Sequence, residues 1–251
     1  MQPVSVVVIA KNEAHVIGRT LQSIQQLTDN IIVCDTGSTD ATIPIAQLNG
    51  ARIIELGWEG YGVTKNLANE YAEYDWILQL DADEVPDEAL LASLLNLQLH
   101  DDQVIYGVTR KNYYAGRYLQ YGQWRNDQCI RLFNRKNASW SDDAVHEKLV
   151  SNNAKTILLN GFIHHYTYET VQEHIEKIEE YTTLDAAKMK RNGKKCSWLK
   201  MTFAPLIVFI TNYFFKLGFM DGYYGFIAAK LSSRHTALKY QKLRALYRKK
   251  K

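Results

Sequence analysis

Asp81-Ala82-Asp83 sets two carboxylates one residue apart, directly after the apolar run at 76–80. If that run is a strand, positions i and i+2 present their side chains to the same face, here toward one crevice at the strand's carboxyl end. Hard divalent cations such as Mg2+ or Mn2+ take oxygen ligands and bridge one or two carboxylates to phosphate oxygens. A cation held by Asp83 would offset the charge that builds on a departing nucleoside diphosphate. The plainer use of these residues is that Asp83 or Asp87 caps a helix opening near Pro86. A second cluster, Asp35-Thr36-Gly37-Ser38-Thr39-Asp40, follows the apolar run at 30–34. There Gly37 permits a tight turn and Asp35 can accept hydrogen bonds from a base or ribose, unless the segment is only a strand–turn–helix junction. Lys65, in Gly62-Val63-Thr64-Lys65-Asn66, could meet a phosphate or a base, or sit as a solvated surface lysine.

The elements that must position these residues are legible as an alternation. Strand signals occur at 5–9, 30–34, 51–55 and 76–80, with helical apolar spacing at 14–27, to about 48, at 63–73 and at 86–99. Pro44 is tolerable only in the first turn of the second helix. Such alternation with short turns predicts an α/β fold, a mostly parallel sheet flanked by helices. Ligands of such sheets bind beyond the carboxyl ends of the strands, where Asp35 and Asp81 fall. From 104 to 162 aromatic-rich runs predict antiparallel strands and loops, and 169–190 reads as an amphipathic helix with Val171, Ile175, Ile178 and Tyr181 on one stripe.

With 46% apolar and 23% charged residues, the 251-residue chain is globular rather than disordered. Its three cysteines, Cys34, Cys129 and Cys196, form no C-x-x-C pair, which fits a reducing compartment and neither a disulfide framework nor a zinc site. The apolar run at 4–10 is too short for a signal segment and reads as a strand. The net charge of +3 is unevenly spread, for residues 230–251 carry nine Lys or Arg and no acid.

The order of A-K-N-E at 10–13, D-T-G-S-T-D at 35–40, G-x-x-K-N at 62–66 and D-A-D-E at 81–84 resembles the family 2 glycosyltransferases, which have the GT-A (Rossmann-like) fold. The resemblance covers about the first hundred residues. It implies that Ala10, Glu13 and Asp35 hold a nucleotide, usually uridine, and that Lys65 lies near the base or diphosphate. It further implies that Asp81 and Ala82 lie on the ribose side, with Asp83 the direct ligand of Mg2+ or Mn2+. Lys11 and Asn12 stand where many members carry an aromatic beside the base.

Inverting transfer needs a group that takes the proton from the acceptor hydroxyl. Val145-His146-Glu147 looks like a segment of bacterial members related to lipopolysaccharide-core glucosyltransferases. By that resemblance Glu147 is the base, and His146 a metal or diphosphate ligand. On chemistry alone Asp127, Asp142 and Asp143 serve as well. Arg131 contacts the diphosphate or is an ordinary exposed strand arginine, and His164-His165 read as structural or solvent-facing.

The stretch at 201–215 has no charge, lies between Lys200 and Lys216, and is shorter than the about 20 residues of a spanning helix. It is expected either to lie in a headgroup region or to pack on the catalytic domain. G-F-x-D-G-x-x-G at 218–225, followed by the basic tail, again resembles the lipopolysaccharide-core subgroup. The expected organisation is a GT-A domain at 1–165, its nucleotide half about 1–100 and its acceptor half about 101–165. A helical, membrane-associating appendage follows at 166–251, with an apolar segment at 198–228 and the tail at 230–251. The expected activity is hexose transfer, of glucose, from a UDP-sugar to a saccharide or glycolipid acceptor. The expected place is the cytoplasmic face of a bacterial inner membrane, bound peripherally to its anionic surface. A polyprenyl-phosphate acceptor and an inactive sugar-nucleotide-binding module are the rival readings. The basic tail comes with no nucleic-acid fold signature, so no nucleic acid partner is expected.

Overall fold

The computed structural model describes residues 3–125, 127–141, 148–151 and 154–248. The chain divides into two compact units, Met1–Lys111 with Asp127–Tyr166, and Asn112–Asn126 with Thr167–Lys251. In chain order the strands are β1 Val4–Ala10, β2 Ile31–Asp35, β3 Arg52–Glu55, β4 Trp76–Asp81, β5 Glu84–Pro86 and β6 Val104–Tyr114. They continue as β7 Arg117–Leu119, β8 Gln128–Asn134, β9 Ala138–Trp140, β10 Leu149–Ser151 and β11 Lys155–Tyr168. The α-helices are α1 Ile17–Ile24, α2 Thr42–Leu48, α3 Tyr61–Glu70, α4 Glu88–Leu95, α5 Val171–Arg191, α6 Trp198–Ile210 and α7 Gly222–Arg248.

The main sheet has the order β3-β2-β1-β4-β8-β6-β11-β5. Its first four strands are parallel, while β8 runs antiparallel to β4 and to β6, and β5 antiparallel to β11. The sheet is mixed, as the expected GT-A fold requires, with its parallel half built from the alternating segment. β1 is apolar nearly throughout because both its faces are covered. Val6 and Val8 join a core with Leu21 and Ile24 of α1, whereas Val7 joins a second core with Ile32, Ile77 and Phe133.

Two local departures from the expected elements matter for the site. The helix expected from Pro86 starts at Glu88, since 84–86 is a strand and Asp87 is the N-cap, accepting from Leu90 N at 2.8 Å. Gly161, at φ +104°, lets α4 approach β11 closely, for a Cβ there would stand 2.2 Å from Leu90 N.

In the second unit, the ends of β6 and β7 form a hairpin, with Asn112 opposite Leu119 and the turn at Ala115-Gly116. Helices α5 and α6 both pack on α7. After α6 the chain continues as a π-helical stretch, Thr211–Phe215, and a 3-10 turn, Gly218–Asp221. The glycines of the 218–225 motif are packing devices. A Cβ on Gly225 would lie 1.9 Å from the Gly218 carbonyl oxygen, and one on Gly218 would lie 2.5 Å from that of Asn212. Asp221 of the same motif accepts from the backbone N–H of Gln120 and, at 2.9 Å, of Tyr121.

Candidate functional site

The parallel register sets Ala10 opposite Asp35 on one side of β1, and Ile9 opposite Asp81 on the other. With strands spaced 4.7–4.9 Å apart, the two aspartates lie about 10 Å from each other along one edge of the sheet. Asp35 is 2% exposed. Its Oδ2 accepts from Gly37 N at 2.9 Å and Ser38 N at 2.8 Å, a turn that Gly37 permits at φ +100°. Its Oδ1 is buried with no hydrogen-bond partner among the described residues. A buried carboxylate oxygen left unpaired is expensive, and a ligand N–H would satisfy it.

Around this turn the segment after β1 is tied to the segment after β2. The Ala10 carbonyl accepts from Thr36 N at 3.0 Å, and Glu13 N donates to Thr42 Oγ1 at 2.8 Å. Asn12, at φ +57°, accepts from Thr39 N at 2.8 Å and its own N–H donates to Ser38 Oγ. The polar residues at 10–13 and 35–42 thus brace one another's backbone.

Lys65, on α3, is not a solvated surface lysine. Its side chain is 3% exposed, its Nζ lies 3.5 Å from Asp81 Oδ1, and it sits 4.7 Å above the Trp140 ring. Arg131, on β8, is likewise no exposed strand arginine. It is 4% exposed, with Nη2 donating to Asp81 Oδ2 at 2.7 Å and Nε to Glu84 Oε2 at 2.7 Å. Glu84, fully buried, also accepts from Arg110 Nη1 at 3.2 Å and from Asp81 N at 3.2 Å. Arg110 in turn donates to both oxygens of Asp127 at 3.0 Å. Enclosure works against the Asp81 charge, yet Lys65, then Arg131, His165 and Arg110 outweigh it and hold the carboxyl well below the usual range. The result is a chain of alternating charges from Lys65 through Asp81, Arg131, Glu84 and Arg110 to Asp127.

Asp83 stands apart from that chain. Helix capping belongs to Asp87, and Asp83 Oδ2 instead lies 3.3 Å from His165 Nε2 on β11. Burial works against a charged His165, but Asp83 and then Glu84 outweigh it and raise its pKa above the ordinary value. Ala82, between the two aspartates, is buried, and its carbonyl accepts from Thr20 Oγ1 at 2.7 Å. Among the described residues no three His, Cys, Asp or Glu side chains form a ready metal cluster. His146, Glu147, Asp142 and Asp143 lie outside the described residues.

Three residues that sequence reasoning passed over belong to this site, namely Glu84, Arg110 and Trp140, and His165, read in sequence as structural or solvent-facing, joins them beside Asp83. Glu84 had a signal, being the last letter of D-A-D-E. Arg110 and His165 had none, because antiparallel register alone carries them to β4 and β5.

The model of Glycosyl transferase family 2 matches residues 5–154. A glycosyltransferase of Rickettsia prowazekii is 31% identical over 98% of this chain and 88% of its own length. A lipopolysaccharide core biosynthesis glycosyltransferase of Rhizobium meliloti is 28% identical over 96% of this chain and 92% of its own. Among solved structures, the glucosyl-3-phosphoglycerate synthase of Mycobacterium tuberculosis in complex with Mn2+ and UDP-glucose is 27% identical. It covers 44% of this chain and 43% of that one, at a TM-score of 0.36.

Proposed function

Because the chain belongs to glycosyl transferase family 2, we propose that it is an inverting transferase moving glucose from UDP-glucose to a saccharide or glycolipid acceptor of the lipopolysaccharide-core kind. The observation that carries this reading is the buried Oδ1 of Asp35, without a hydrogen-bond partner among the described residues, at the same end of the parallel strands as Asp81 with its partners Lys65 and Arg131. One side of that site needs a hydrogen-bond donor, which the N–H of a uracil supplies. The other carries Asp81, held ionised by Lys65 and Arg131. The core-biosynthesis relative, matched along 96% of this chain, supports the acceptor class.

Asp83 and His165 fit a divalent cation, offering an oxygen and an imidazole nitrogen 3.3 Å apart with side chains 20% and 15% exposed. The pair would hold Mg2+ or Mn2+, its binding displacing the imidazole proton that Asp83 favours. The imidazole favours Mn2+ of the two. When bound, the cation would offset the charge of the leaving diphosphate. Asp35 orients the base, and Lys65 and Arg131 fix Asp81 in its ionised form at the donor. Arg110 holds both oxygens of Asp127, and the resemblance to the lipopolysaccharide-core members gives the role of base to Glu147. It removes the acceptor hydroxyl proton as that oxygen bonds to the anomeric carbon and the bond to the diphosphate breaks, which gives a β-linked product.

The test is UDP release and product anomer with a panel of UDP-sugars, core saccharide or polyprenyl-phosphate acceptors, and Mn2+. Transfer of β-linked glucose to the saccharide supports the reading, with loss of turnover in Asp83→Ala and a hundredfold or greater loss, about 10²–10⁴, in Glu147→Gln. Product carried only on lipid phosphate, or donor binding without any transfer, would overturn it. Undiminished turnover in Asp83→Ala sinks the cation assignment.

A further inference from the structure

Helix α6 has its amphipathicity turned outward. None of its residues is buried, and through the π-helical continuation Asn212 is the only buried one. Leu199, Phe203, Leu206, Ile207 and Phe214 are 49–60% exposed and recur at helical spacing along one face. Phe215 is 78% exposed, and the apolar surface continues over Phe219, Met220 and Tyr223. The patch is on the order of 1,000 Å2, beyond the few hundred that soluble monomers ordinarily show. Such a face asks for an occupant.

Charge says which. Residues 186–251 carry sixteen Lys or Arg and a single acid, Asp221, which is committed to the Gln120 and Tyr121 backbone. Lys194, Lys195 and Lys200 before the apolar face and Lys216 after it are exposed. A second copy of this chain would bring the same excess of positive charge against itself. An anionic partner with an apolar interior meets both demands, and an anionic bilayer is that partner.

The geometry also decides the pose. Trp198–Phe215 is long and apolar enough to cross a membrane on length and composition alone. Its other side, however, packs on α7, where Ser233 Oγ donates to the Pro205 carbonyl at 2.8 Å and Phe209 meets Phe226 edge-on at 5.9 Å. α7 carries Lys230, Arg234, Arg244 and Arg248 on exposed positions, and a bilayer core would not accept it. One free face and one occupied face fit a helix lying in the plane of the surface. We propose that the outward face of α6 and the aromatic turn after it dock this protein on an anionic lipid surface, with α6 parallel to the membrane.

The experiment is vesicle sedimentation of the full chain, with phosphatidylcholine alone or with about one-third phosphatidylglycerol. The protein should pellet with the anionic vesicles, far less with neutral ones, and be released by alkaline carbonate. Ile207→Ser and Phe215→Ser, at positions open enough to leave the circular dichroism and melting unchanged, should each weaken partition about tenfold or more. Lys194→Gln, Lys195→Gln and Lys200→Gln should each weaken it about fivefold at low salt. Equal pelleting with both vesicles, undiminished pelleting of the serine variants, or resistance to carbonate would overturn the proposal. So would a dimer that the serine variants dissociate, with no vesicle binding.

Discussion

Glu84→Gln tests whether the buried charge chain is what organises the donor edge. Glu84 is fully buried, and it is the carboxylate shared by Arg131 and Arg110. It also receives the backbone N–H of Asp81 at 3.2 Å, so it anchors the aspartate that Lys65 and Arg131 hold. Glutamine keeps the shape but exchanges one acceptor oxygen for a donor, which would face a guanidinium. Breaking a buried ion pair from one side costs about 3–5 kcal/mol, because the other charge stays buried and uncompensated. At about 2–4 °C per kcal/mol for a chain of this size, the melting temperature should fall by about 6–20 °C. Thermal and urea unfolding followed by circular dichroism measure it, and calorimetry with UDP should show weakened binding as Asp81 loosens. Glu84→Gln with Arg131→Met should recover part of the loss, since it removes the uncompensated guanidinium along with its partner. A single variant that melts within about 2 °C of the parent, equivalent to under about 1 kcal/mol, refutes the reasoning.

Asp35→Asn should leave the melting temperature nearly unchanged, because the amide oxygen can still accept from Gly37 and Ser38. Uridine nucleotide affinity should fall about tenfold to a hundredfold, the worth of one hydrogen bond to a charged group. An unchanged Kd by calorimetry removes Asp35 from the donor site. Gly225→Ala should destabilise by about 3 kcal/mol or more in urea, since its Cβ would sit 1.9 Å from a backbone oxygen that has no room to give; a neutral result would mean that the 218–225 turn moves freely. Burial, and then His235, push the His174 pKa down to about 4. Its imidazole is therefore neutral where Nδ1 and Tyr114 Oη share a hydrogen bond 3.0 Å long. Between about 4 and the ordinary value near 6.5 the unfolded chain binds the extra proton. The stabilisation is thus complete above about 6.5 and lost as pH falls toward 4, by up to about 3 kcal/mol. Urea midpoints from pH 7 to 4 should show that slope, and His174→Gln should flatten it; an equal slope in the variant assigns the acid sensitivity elsewhere.

Much of the first hundred residues could be read directly. The apolar run at 76–80 and the carboxylates after it needed only strand periodicity, and both Asp35 and Asp81 do end parallel strands beside β1. Local chemistry could not choose between Asp83 and Asp87 as the cap. The choice came from the three-residue strand Glu84–Pro86, which moved the helix start to Glu88. The apolar stretch at 201–215 was equally legible as such, while its outward face depended on where α7 packs.

What the amino-acid order alone determined is which groups stand at the ends of the parallel strands, because alternation and turn chemistry act over a few neighbouring residues. Only the tertiary structure decided their electrostatic state. Lys65 and Arg131 are ambiguous in sequence, and each becomes a buried partner of Asp81 through contacts 16 and 50 residues away. Arg110 and His165 reach the site through antiparallel pairing far down the chain. Coulomb interactions depend on separation in space and on burial, and strand register sets both without leaving a local mark in the sequence.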